Sequence, residues 1–218
     1  MTSRNLTIDQ TLQDYITAHS GVDPLVAELI AETRAATGGA AGMQISPEQA
    51  VFTTTLARLL GARSAVEVGT FTGMSALAIA RGLPEDGHLL CCDVSEEWTN
   101  IGRKYWERAG VADRIELRIA PAAETLAALP ADATVDLAFI DADKTGYPTY
   151  WAELVPRMRP GGVILVDNTL WSGRVVDPAD TSADTVAIRA FNELVTGDDR
   201  VESVILPIGD GLTLARKK

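Results

Sequence analysis

Ala65-Val-Glu-Val-Gly-Thr-Phe-Thr-Gly73 runs from a short apolar stretch through two glycines into residues 74–81, whose apolar side chains recur at helical spacing. Strand, glycine turn and helix in that order form the opening unit of a doubly wound sheet, in which glycines let a ligand approach the backbone where the helix begins. Outward from it the pattern alternates. Strand-like runs at 89–93, 115–119, 135–141 and 163–167 are separated by helical runs at 96–109, 124–129 and 147–158. Such alternation predicts parallel strands joined by right-handed helical crossovers. After a helical run at 186–195, strand-like residues 201–207 and 212–216 flank Ile208-Gly-Asp-Gly211. The Asp-Gly pair there predicts a tight hairpin and an antiparallel edge. Upstream, residues 6–19, 23–37 and 46–60 read as three helices, the last opening with Ser46, Pro47 and Gln49 as a capped start does. The expectation is an α/β chain with a doubly wound mixed sheet, one domain made of an N-terminal helical cap (1–62) and a sheet core (63–218). Gly38-Gly-Ala-Ala-Gly42 reads as a hinge between them or as a plain connector.

The composition narrows the partners. With 218 residues, 46% of them hydrophobic, the chain has the material for one full core. A formal charge of −11 argues against nucleic acid and anionic membranes as partners, since phosphate surfaces require basic patches. Cys91 and Cys92 are adjacent in an apolar run and read as buried thiols, with no disulfide framework. Met1–Asn5 lack an apolar signal core, and no stretch approaches the roughly 20 apolar residues of a membrane span, so a soluble cytoplasmic protein is expected.

Two acidic clusters each follow an apolar strand: Phe139-Ile-Asp-Ala-Asp-Lys144 and Val166-Asp-Asn-Thr-Leu-Trp171. Ligands of open parallel sheets gather at the carboxyl ends of strands, and neighbouring strands lie about 4.8 Å apart, so Asp141, Asp167 and Asn168 can face one ion. Carboxylate and amide oxygens suit Mg²⁺-type cations, with Mn²⁺ or Ca²⁺ as alternatives. Asp167 and Asn168 are adjacent and would point to opposite faces of a strand, so both serve one ion only if the strand ends at Asp167. An Asp-Asn turn cap is the plainer reading.

The turn after the first strand has glycines at 69 and 73 and lacks Gly-x-Gly-x-x-Gly, which weakens a dinucleotide reading. Asp93 ends the next strand-like run, where a carboxylate accepts both hydroxyls of a ribose; a cap before Glu96 is its other reading. Glu67 lies inside the first strand and needs a partner, either a buried Lys or Arg or an ammonium group on the ligand. Ribose and ammonium together describe S-adenosylmethionine better than NAD.

With these blocks in order, the chain resembles the cation-dependent O-methyltransferases of the catechol and caffeoyl-coenzyme-A type, closest to the bacterial members. The likeness spans roughly residues 43–216 and rests on Val66-Glu-Val-Gly-Thr-Phe-Thr-Gly-Met-Ser75, Phe139-Ile-Asp-Ala-Asp-Lys144, Gly161-Gly-Val-Ile-Leu-Val-Asp-Asn-Thr-Leu-Trp-Ser-Gly173 and Leu206-Pro-Ile-Gly-Asp-Gly-Leu212. The resemblance implies a seven-stranded Rossmann-like methyltransferase fold, S-adenosylmethionine as donor, a divalent cation, a vicinal aromatic diol as acceptor and a homodimer. It assigns Met43, Ile45, Glu67, Gly69, Thr70, Ser75, Asp93, Ala122, Asp141 and Asp143 to the cofactor and Asp141, Asp167 and Asn168 to the metal. It puts Ser172 at the acceptor. Ile45 stands where plant members carry a threonine and Ser172 where they carry an asparagine. No basic site matches the plant pattern in the N-terminal helices, so the coenzyme-A ester is not carried over.

A phenol with a pKa near 10 is ionised in roughly one molecule in a thousand at pH 7, so the chemistry needs help in forming the phenolate. Lys144 is the candidate general base, with a charged role beside Asp143 or the phenolate as its other reading. Trp171 offers a flat wall for the acceptor, or packs in the core. Tyr147 reads as the start of a helix, and residues 173–184 as a lid. The rival functions are a metal-independent methyltransferase on another acceptor, a nucleotide-dependent oxidoreductase, and a non-catalytic S-adenosylmethionine-binding module.

Overall fold

The computed structural model describes residues 6–132 and 134–218; the reading made of Met1–Asn5 lies outside them. Seven strands form one sheet: β1 (Ser64–Val68), β2 (His88–Asp93), β3 (Ile115–Ile119), β4 (Val135–Ile140), β5 (Met158–Val166), β6 (Val201–Leu206) and β7 (Leu212–Lys217). Their order is β3-β2-β1-β4-β5-β7-β6. Pairings through β5 are parallel, and β7 runs antiparallel to both its neighbours. The reversed strand therefore lies inside the sheet, and β6 is the edge.

Side-chain parity along the strands builds two cores. Ala65, Leu89, Leu137 and Leu165 face one apolar layer, while Val66, Leu90, Ala138 and Ile164 face the other. Both faces being covered, the central strands read as continuous apolar runs rather than alternating ones. Onto the first face pack α2 (Pro24–Thr37), α3 (Pro47–Leu60), α4 (Met74–Gly82) and α5 (Glu96–Arg108); onto the second pack α6 (Ala122–Ala127), α7 (Tyr147–Leu154) and α8 (Ala183–Thr196). α1 (Gln10–Ala18) buries none of its residues.

Local chemistry sets the ends. α3 starts at Ser46, whose hydroxyl accepts from the Gln49 N–H at 3.3 Å, and stops at Gly61 in the left-handed region. Ser95 caps α5 and Glu96 and Glu97 occupy its first turn, where the helix dipole favours anions.

Several expectations are corrected. The helical run at 147–158 ends at Leu154 and tightens into a 3-10 turn containing Pro156, which has no N–H to continue an α-helix. β5 consequently begins at Met158, five residues before the expected 163. The glycine-rich stretch, read as a hinge or connector, is a 3-10 helix over Gly38–Met43. The hairpin is not tight: Leu206 pairs with Leu212, so residues 207–211 form the connection. The wider loop follows from Asp210, whose backbone carbonyl and side chain are both bonded to the segment after β5.

Candidate active site

Strand order reverses between β1 and β4, and the crevice outside the carboxyl ends of β1, β2, β4 and β5 is where such sheets bind ligands. There a cavity of about 980 Å³ opens, lined among others by Gly69, Asp93, Asp141 and Asp167. The ladder carries the acids to the rim, since the Asp141 N–H donates to Val68 O at 2.8 Å and the Asp167 N–H to Ile140 O at 3.0 Å. Gly69 has φ +89°, and a Cβ there would lie 1.9 Å from the Asp141 carbonyl oxygen. Only glycine admits that approach of the two loops.

On one side the β1–α4 loop is held by Asp93. Its Oδ2 accepts from the N–H groups of Thr70 and Phe71 at 2.9 and 2.8 Å, and its Oδ1 from Ser95 N–H at 2.8 Å. Asp93 thus braces the loop while lining the cavity, and the cap of α5 is Ser95. Met43, Ile45, Thr70, Ser75, Ala122 and Asp143 also line the cavity. Glu67 does not. It is fully buried behind the wall, its Oε2 accepts from Thr70 Oγ1 at 2.8 Å, and its Oε1 has no hydrogen-bond partner. The Lys or Arg partner considered for it does not occur among the described residues. Burial pushes the Glu67 carboxyl up to about 7.

On the other side Lys144 is the sole cation among the lining residues. Its ammonium donates to Asp141 Oδ1 at 3.0 Å, to Asn168 Oδ1 at 2.6 Å and to the Tyr147 hydroxyl at 2.6 Å, and Tyr147 in turn donates to the Asp167 carbonyl at 3.1 Å. β5 ends at Val166, and Asn168 takes φ +59°, so the adjacent Asp167 and Asn168 side chains no longer obey strand alternation. Asp167 Oδ2 accepts from Gln49 Nε2 of α3 at 2.7 Å and its Oδ1 from the Asn168 N–H at 2.7 Å. Burial raises both acids, Asp167 to about 7, and the Asp141 charge adds to the effect on Asp167.

The Asp141 carboxylate and the Asn168 amide converge on one ammonium, with the buried Asp167 carboxylate beside them, and together these oxygens are donors suited to a hard divalent cation. Among the described residues, no group of three or more His, Cys, Asp and Glu side chains gathers as a metal site. Any cation here rests on two carboxylates and Asn168.

Trp171 lines the cavity with φ +48°, its ring 5.6 Å from the Lys144 nitrogen and 4.8 Å from the Arg174 guanidinium. Ser172 is exposed and off the cavity wall; its N–H donates to Asp210 Oδ1 at 2.5 Å. Gln49, Tyr147 and Asp210 join the site without having been assigned to it from sequence. Gln49 had registered as part of a helix start, Tyr147 as the first residue of α7 and Asp210 as a turn residue. Nothing in their local patterns signals a role across the sheet.

A family model described as O-methyltransferase matches residues 17–218. Caffeoyl-CoA O-methyltransferase 2 of Zea mays is 40% identical over 185 residues, covering 80% of this chain and 70% of the maize protein. The O-methyltransferase of Bacillus cereus, solved in complex with SAH, superposes with a TM-score of 0.86 at 31% identity over 95% of this chain and 97% of that one. TomG of Streptomyces achromogenes, an O-methyltransferase of tomaymycin synthesis solved with SAM, superposes equally well at 28% identity over 97% of this chain and 100% of that one. With the crevice at the switch point and a match over nearly its whole length, the chain belongs to the O-methyltransferase family, the S-adenosylmethionine-dependent enzymes whose fold it shares.

Proposed function

We propose that this O-methyltransferase moves the methyl group of S-adenosylmethionine to one hydroxyl of a vicinal aromatic diol and needs a divalent cation to do so. The observation that carries the reading is the convergence of Asp141 Oδ1 and Asn168 Oδ1 on one cationic nitrogen beside buried Asp167, at the edge of the cavity. Relatives named for caffeoyl-CoA add support for a phenolic acceptor.

In this reading Asp93 and the loop it braces receive the donor, with Gly69, Thr70, Ser75, Ala122 and Asp143 around it. Asp141, Asp167 and Asn168 would hold the cation, which when bound would lower the pKa of a diol hydroxyl and orient the ring. The acceptor oxygen displaces the sulfonium: an O–C bond forms, the S–C bond breaks, and S-adenosylhomocysteine leaves. The hydroxyl proton passes to a base, for which Lys144 is the candidate once it has given up its own proton and stands as the neutral amine, and Trp171 walls the acceptor. Ser172, exposed, is kept only as a contact at the mouth. The same proposal includes a homodimer working in the cytoplasm; among the described residues no helix is long and apolar enough to cross a membrane.

The test is methyl transfer from S-adenosylmethionine to a panel of catechols, with EDTA and then with Mg²⁺ restored. Activity lost with EDTA and regained with Mg²⁺ is expected. Activity indifferent to EDTA would overturn the cation assignment, and transfer to other acceptors but to no diol would overturn the substrate class.

A further inference from the structure

Trp171 stands in a segment that its own backbone does not favour. Trp171 and Ser172 both lie in the left-handed region, at φ +48° and +52°, and residues 172–174 and 176–179 are exposed. Non-glycine residues hold such conformations only where their surroundings over-determine them. Two anchors do so here. On one side, Asp210 accepts from the Leu170 N–H through its carbonyl at 2.9 Å and from the Ser172 N–H through its carboxylate at 2.5 Å.

On the other side stands Arg189 of α8. Its Nε donates to Val175 O at 2.9 Å, its Nη1 to Asp180 O at 2.9 Å, and its Nη2 to Arg174 O at 2.8 Å and also to Asp177 O. The guanidinium is thus spent on four backbone carbonyls of one loop, and among the described residues it makes no ion pair. One of those carbonyls belongs to Arg174, whose own guanidinium lies 4.8 Å from the Trp171 ring. Arg189 therefore fixes the backbone from which Arg174 covers the indole, and the indole in turn forms part of the cavity wall beside Lys144.

We propose that Arg189 is a positioning residue for the acceptor: by pinning the 174–180 loop it sets the plane of Trp171 and so decides which of the two diol hydroxyls faces the donor. The inference rests on the diol reading above. Residues 173–184, expected as a lid, act in it as a fastened wall. A lysine at 189 keeps the charge but is a point donor without the planar fork, and cannot reach four carbonyls at once.

The experiment compares wild type with Arg189→Lys and Arg189→Gln on 3,4-dihydroxybenzaldehyde, reading acceptor KM, the ratio of the two monomethylated products and S-adenosylmethionine affinity by calorimetry. Expected are an acceptor KM raised about tenfold and a product ratio moved toward one, with donor affinity within about twofold of wild type. Trypsin cleavage after Arg174 should accelerate in both variants. Wild-type KM, product ratio and cleavage rate in Arg189→Lys would overturn the proposal, and that variant serves if Arg189→Gln does not fold. A lowered melting temperature with an unchanged product ratio would make Arg189 structural only and also overturn it. A wild type silent on every diol but active on another acceptor would instead defeat the diol reading, leaving the brace to be read by trypsin.

Discussion

Replacing Glu67 by glutamine isolates the cost of one buried acid. The carboxyl has no solvent exposure, one hydrogen bond from Thr70 and a bare Oε1, and burial pushes it from 4.5 up to about 7. Below pH 4.5 the group is protonated in folded and unfolded chains alike, so it contributes no pH dependence. Between 4.5 and about 7 the unfolded chain releases the proton while the folded chain retains it, so folded-state stability falls as pH rises across that window. At roughly 1.4 kcal/mol per pH unit the whole loss comes to about 3 kcal/mol, and it is flat above pH 7. Glutamine does not titrate. The stability of Glu67→Gln minus that of wild type should therefore climb by about 3 kcal/mol from pH 4.5 to 7 and then level off. Urea unfolding of both proteins without ligand, followed by far-ultraviolet circular dichroism at half-unit pH steps, measures the difference; Asp141, Asp167 and the surface acids cancel in it. A constant offset at every pH would mean that Glu67 ionises normally in the folded chain and would refute the argument from burial.

Lys144→Met removes the nitrogen that Asp141, Asn168 and Tyr147 surround, and turnover should fall about a hundredfold or more while S-adenosylmethionine affinity stays near wild type; an unchanged rate would end its candidacy as base. Gly69→Ala drives a Cβ to within 1.9 Å of the Asp141 carbonyl at a backbone angle alanine disfavours, and should cost about 3 kcal/mol or more, read as a fall of roughly 10 °C in melting temperature. A Gly69→Ala protein as stable as wild type would show that the β1 and β4 loops part easily.

The alternation of strand and helix was legible from residue 64 onward because a continuous apolar run and helical spacing are local properties, and each element carries its own record of them. The acids were legible for a related reason: an Asp directly after an apolar strand has a predictable place at the rim of a parallel sheet. Glu67 was visible as a charge in an apolar run, yet its partner was not, since Thr70 supplies one bond and nothing supplies the second. What escaped depends on contacts between distant segments. Gln49 reaches Asp167 across 118 positions, and Arg189 spends itself on carbonyls that any sequence would offer. The hairpin is wider than its Asp-Gly pair predicts because the bonds of Asp210 to Leu170 and Ser172 outweigh the local preference of Asp-Gly for a two-residue turn.

The Gln49 bond to Asp167 also changes what counts as the minimal enzyme. A buried carboxylate oxygen stripped of its donor costs about 1–3 kcal/mol, and more when ionised. A shortened chain that began at the first strand would keep every acid of the rim and still present Asp167 in a different electrostatic setting. Anyone transplanting this chemistry onto another sheet would have to bring α3 along, because a segment outside the alternating pattern supplies the hydrogen bond that steadies the buried Asp167 carboxylate.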